Sequence, residues 1–104
     1  MIMNATDWNT ALYEKMSDEQ DKFRDWLKSR PPEEILHHTY EYTVREDIVM
    51  AMEELELTDA QAQALLESSL PLADVYRYFE KLETGHMDVI RDSIENRADD
   101  VCRA

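Results

Sequence analysis

The chain has 104 residues with one glycine, three prolines and one cysteine, and 24 acidic side chains against 11 basic ones leave a formal charge of −13. That charge repels nucleic acid and anionic membranes. A lone cysteine cannot build a disulfide framework and fits a reducing cytoplasm, and no apolar run reaches the roughly 18 residues that a membrane-spanning helix needs.

The length suits one domain over residues 1–104 with a modest core, and the scarcity of glycine predicts an all-α fold. Residues Met1 to Ala11 have neither the basic start nor the apolar core of a secretory signal. Thr6 or Asp7 can cap a first helix that carries Trp8, Ala11, Leu12 and Met16 on one side. Ser17 with Gln20 forms a capping box, so 7–30 reads either as one helix or as two with a break at Ser17. Phe23, Trp26, Leu27 and Arg30 share a face beyond it.

Pro31 and Pro32 open the longest helical pattern, about 32–57. Glu33 and Glu34 suit the positive end of its dipole. Leu36, Tyr40, Val44, Ile48, Ala51 and Leu55 recur at steps of four and three, and Ile35, Val49, Met50 and Met52 widen that stripe. A helix apolar on more than one face is expected at the centre of the fold. Thr58 and Gln61 repeat the capping box, and a short helix follows through Leu66. Ser68, Ser69 and Pro71 break it. Leu72, Val75, Tyr76, Phe79 and Leu82 mark the next helix, with Gly85 expected to end it in a left-handed conformation. Met87, Ile90, Ile94, Ala98 and Val101 mark the last. The expected fold is a compact all-α bundle of five to six helices around the long central one.

No residue pattern supports catalysis. Glu34 with His37 and Glu83 with His86 have the Glu-x-x-His spacing of two-metal helical bundles, but 24 acids make such spacings common by chance, and the second pair straddles Gly85. Cys102 follows Asp99 and Asp100, the wrong charge to favour a thiolate nucleophile. No glycine-rich loop can cradle a phosphate. The reading is a non-enzyme without metal or cofactor.

Charge distribution is more informative. No Lys or Arg lies between Arg45 and Arg77, an interval that holds Glu46, Asp47, Glu53 and Glu54, then Glu56, Asp59, Glu67 and Asp74. A second acidic group, Asp88, Asp92, Glu95, Asp99 and Asp100, recurs along the last helix. Carboxylate rows on rigid helices can imitate duplex phosphates, which present one charge per roughly 1.7 Å. A solvated surface that keeps the chain soluble explains the same residues. Of the tyrosines, Tyr40 and Tyr76 are expected inside, and Tyr42 and Tyr78 near the surface as contact anchors.

Several runs carry a resemblance: Phe23-Arg24-Asp25-Trp26-Leu27, Pro31 to Leu36, Tyr40-Glu41-Tyr42-Thr43-Val44-Arg45-Glu46-Asp47-Ile48 and Pro71 to Tyr76. Over nearly its full length the chain resembles an uncharacterised small acidic helical domain family of conjugative and phage-like elements in gut Firmicutes. The family brings no catalytic residues. It implies a setting in which small proteins blunt host restriction or CRISPR defence. The resulting expectation is a cytoplasmic, non-enzymatic interaction protein that occupies the basic nucleic-acid-binding surface of a host nuclease through its Glu46–Asp74 acids, without binding nucleic acid itself. The alternative is a helical assembly or adaptor module, or a homodimer, that acts through Tyr42, Tyr78 and apolar surface.

Overall fold

Prolines and caps set most helix boundaries. The computed structural model describes residues 7–82 and 85–103, and among them are five helices: α1 Asp7–Lys28, α2 Pro32–Ala51, α3 Asp59–Leu66, α4 Pro71–Leu82 and α5 His86–Arg103. The expected all-α bundle is present. Pro32 opens α2. The Thr58 hydroxyl accepts from Gln61 N at 3.2 Å while Gln61 Oε1 accepts from Thr58 N at 3.0 Å, so both halves of the capping box form at α3. Residues Met1 to Thr6, and with them the possible Thr6 cap, lie outside the described residues.

One open boundary is resolved and two boundary expectations are corrected. The segment 7–30 is one helix through Ser17, because Met16 and Gln20 on either side are buried and hold the turn in place. The helix opened by Pro32 stops at Ala51 rather than near 57. Met52 N bonds back to Ile48 O and Val49 O, which tightens the last turn. Leu57 then pairs with α1 instead: Asn9 Nδ2 donates to Leu57 O at 2.9 Å and Leu57 N donates to Asn9 Oδ1 at 3.0 Å. Gly85 does separate α4 from α5, but no described glycine has positive φ. Its carbonyl accepts from Val89 N at 2.9 Å, so it opens α5 rather than closing α4.

The centre is α1, not α2. It packs against α2, α3 and α4. Leu12, Met16, Met52, Ala62 and Leu72 form the buried apolar cluster, two of them from α1. Complete burial of a leucine such as Leu12 or Leu72 contributes about 1.5–3 kcal/mol. The apolar stripe read from Pro32 onward points inward only in part: Val44 and Met52 are buried and Ile48 and Val49 pack against the core, but Leu36 is 72% exposed, Tyr40 50% and Leu55 52%. Val44 and Arg45 are the buried residues of α2. The helix is turned because α1 presents Glu19, Gln20 and Arg24 to it, and these polar groups need polar partners once covered.

That second interior is built on charge. Glu19 accepts from Leu72 N and Ala73 N, both at 2.9 Å, and so satisfies two open N–H groups in the first turn of α4. Arg45 Nη2 lies 2.7 Å from Glu41 Oε2 and its Nη1 3.7 Å from Glu19 Oε2. Its guanidinium sits 4.3 Å from the Phe23 ring centre and 5.7 Å from that of Tyr76. Gln20 Nε2 donates to Glu46 Oε1 at 3.0 Å, and Arg24 Nη2 approaches the same oxygen at 3.3 Å. Glu19 and Arg45 are thus held between α1, α2 and α4, while the apolar cluster draws on α1, α3, Leu72 at the start of α4 and Met52 just after α2.

No described residue of α5 is buried. Its first residue, His86, meets the Tyr40 ring at 6.0 Å between centres. The molecule measures 67 × 35 × 21 Å, with a radius of gyration of 18.5 Å; a closely packed chain of this length has about 13 Å.

Candidate functional site

Where α2 stops early, the connection 52–58 crosses the start of α1 and a groove of about 570 Å³ opens beside it. The Asn9–Leu57 pair anchors one wall. Met52, Leu55, Leu57 and Tyr13 give the groove apolar surface. Glu53, Glu56 and Asp59 add three carboxylates, and none of the described residues that line it is Lys or Arg. The capping box at Thr58 fixes the first turn of α3 and with it the position of Asp59.

Local charge shows in Tyr13. Its hydroxyl donates to Glu53 Oε1 at 3.3 Å. The negative charge of Glu53 raises the phenol pKa above its ordinary value, with burial, the hydrogen bond to Glu53 and the charge of Glu46 adding to the effect. Lys15, two residues further along α1, does not neutralise the groove. Its ammonium donates to Leu66 O at 2.9 Å and Ser68 O at 2.7 Å, closing the C-terminal end of α3. Carboxylates beside apolar surface suit a lysine or arginine side chain, whose stem lies on the apolar wall while its head meets the acids.

The eight acids singled out in sequence are divided by the fold. Glu53, Glu56 and Asp59 come together on the groove. Glu46 turns inward to Gln20 and Arg24. Asp74 lies 3.2 Å from Arg77, and the Ser68 hydroxyl and then Arg77 hold its carboxyl below the usual aspartate range. Asp47, Glu54 and Glu67 are exposed but do not line the groove.

The tyrosine expectation holds for one pair and reverses for the other. Tyr76 is buried and Tyr78 is 64% exposed. Tyr40 is half exposed, whereas Tyr42 is partly covered: its ring stacks on Phe23 with centres 6.4 Å apart, and its hydroxyl accepts from Arg24 Nε at 2.9 Å. The turn of α2 toward the polar face of α1 carries Tyr42 in and Tyr40 out. Tyr42 is therefore a fold contact rather than a free anchor.

Histidines do not converge. His37 is exposed, while His38 pairs with Glu41 at 3.3 Å and meets Trp26 edge-on at 5.3 Å. Among the described residues no three His, Cys, Asp or Glu side chains group as metal ligands; Glu83 lies outside them. Cys102 is exposed. No described helix is long and apolar enough to cross a membrane. Sequence reading missed Asn9 and Tyr13, because their partners lie 48 and 40 residues away and no local pattern announces the pairing.

No curated protein and no solved structure matched the chain. A protein-family pattern did, over residues 8–102, and by that match the chain belongs to the uncharacterised family described as "Protein of unknown function (DUF3848)".

Proposed function

We propose that this protein is a non-enzymatic acidic interaction protein whose groove receives a basic side chain from a partner protein. The observation that carries the reading is the meeting of Glu53, Glu56 and Asp59 around apolar surface with no Lys or Arg among the described lining residues. The partner class is a protein with a basic nucleic-acid-binding surface. In a mobile element of the kind the sequence resembles, that partner is a host defence nuclease of the restriction or CRISPR type, and the protein inhibits it by occupying the channel in place of DNA. The charge of −13 supports the same direction, since it speeds encounter with a basic surface and keeps the chain off nucleic acid.

A test compares the natural chain with the triple variant Glu53→Lys, Glu56→Lys, Asp59→Lys in capture from nuclease-treated host lysate. The natural chain is expected to retain a basic protein that elutes early in a salt gradient and is displaced by added duplex DNA. The variant should retain it at least about tenfold more weakly. Equal capture by both chains would remove the groove from the reading.

A second reading is favoured by a separate observation: Tyr78 on α4 and the apolar residues Met87, Ile90, Ile94 and Val101 on α5 are exposed. They support an assembly or adaptor function through apolar surface. Contacts of that kind tolerate salt, whereas groove contacts weaken as screening grows.

A further inference from the structure

The face of α5 is specific enough to name what covers it, an inference that rests on the assembly reading and not on the groove. Met87 is 54% exposed, Ile90 38%, Ile94 64% and Val101 53%. At 3.6 residues per turn these four fall on one stripe, with Ala98 between them. Beyond the His86–Tyr40 ring contact, α5 has no extended packing against the other described helices, so the described residues leave the stripe exposed. Isolated apolar residues on a surface need no explanation, but a helix-long stripe does.

The two borders of that stripe differ. Asp88, Asp92, Glu95 and Asp99 follow one another at steps of four, three and four along one border. Arg91 interrupts them and is held 3.3 Å from Asp88. The other border carries His86, Ser93, Arg97 and Asp100. In an antiparallel pair of identical helices like borders meet, so the aspartate and glutamate row would face itself. In a parallel pair that row would face His86, Ser93 and Asp100, with Arg97 its main opposing cation. Two copies also bring together two formal charges of −13.

We infer that α5 is a docking helix for a different protein, one that offers an apolar groove with lysine or arginine along one rim. The apolar stripe enters the groove and the Asp88–Asp99 border meets the basic rim. This is the helix-in-groove mode of recognition, with Met87, Ile90, Ile94 and Val101 as the anchors.

The probe is a designed helical hairpin with leucines lining its groove and lysines along one rim, titrated into the full chain and read by fluorescence anisotropy. Two control hairpins carry glutamates on the rim, or the same lysines with the leucines replaced by serine. Binding of the lysine–leucine hairpin should exceed that of both controls by at least about tenfold. Ile90→Ser with Ile94→Ser should abolish that preference while leaving the thermal midpoint unchanged, because neither residue is buried. The groove variant with lysines at 53, 56 and 59 should keep its α5 preference, which separates the two sites. Equal binding of the lysine hairpins with and without leucines would overturn the inference in favour of simple charge attraction. Sedimentation that shows a dimer of the natural chain, broken by the isoleucine variants, would also overturn it and leave the assembly reading standing with a second copy as the cover. A monomer that ignores all three hairpins would remove both.

Discussion

α1 and α5 are two amphipathic helices of similar length, Asp7–Lys28 and His86–Arg103, with opposite fates. α1 has neighbours on three sides and buries Leu12, Met16, Gln20 and Leu27. α5 buries nothing. Their compositions do not explain the difference, since Ile90 and Ile94 are as apolar as anything in the core. What differs is reach. α1 is met by residues 40 to 54 positions away, through Tyr13 with Glu53, Asn9 with Leu57, Lys15 with Leu66 and Ser68, and Glu19 with Leu72 and Ala73. An apolar stripe states that a helix has a face to cover. It does not state whether the cover comes from the same chain.

The contrast breaks or sharpens most at single buried side chains. Leu72→Ala should destabilise the fold by about 2–5 kcal/mol in denaturant unfolding, since Leu72 is fully buried. Ile94→Ala should change stability by no more than about 0.5 kcal/mol. Similar losses at the two positions would mean that α5 is part of the cooperative core. Next comes the charged interior. Glu19→Ala removes the acceptor of two α4 amides and leaves Arg45 with Glu41 alone; a loss of about 3 kcal/mol is expected. Arg45→Met should cost less, because Glu19 keeps both amide bonds and the methionine can fill the space between Phe23 and Tyr76. If Arg45→Met proved the more damaging change, the ion pair rather than the helix cap would be what holds α4.

Smaller effects test the groove wall. Asn9→Ala deletes both hydrogen bonds to Leu57 and should cost about 1–2 kcal/mol, with hydrogen exchange rising in 52–58 before it rises in α1. Glu53→Gln should bring the Tyr13 phenol back toward its ordinary pKa, followed by the pH dependence of its ring signals, because the Glu53 charge is the largest cause of the upward shift. The smallest effect is at Asp74, whose carboxyl pKa is lowered. A lowered carboxyl supports the fold above its unfolded-state pKa, and that support fades as pH falls through the folded-state value. Stability of the natural chain and of Asp74→Asn should therefore differ near neutrality and converge in strong acid. A difference that persisted in strong acid would point to a cause other than ionisation.

Much of the fold was legible because helix ends obey local rules. Pro32 at the start of α2, the Thr58–Gln61 box at α3 and Pro71 at α4 act within one turn of themselves, and each stands where the sequence puts it. Ser17 left the sequence reading open for an instructive reason: its box exists as a pattern, but the burial of Met16 and Gln20 outweighs the roughly 1 kcal/mol that a cap contributes. The site was legible only in part. Glu53, Glu56 and Asp59 belong to the acid-rich interval, yet nothing local separates them from Glu46, which the fold turns inward to Arg24.

The sequence by itself determined that this chain is helical and acidic, and roughly where its helices begin, since these follow from backbone chemistry and charge acting over a few residues. Only the tertiary structure decided which helix is central, that Arg45 is buried while Leu36 and Tyr40 are not, and that three carboxylates share one groove. Those outcomes depend on what each face meets across the molecule. Glu19 illustrates the reason: in sequence it is one acid among many, and only the arrival of α4, more than fifty residues later, makes it the acceptor that caps the start of that helix while it helps to hold Arg45 among α1, α2 and α4.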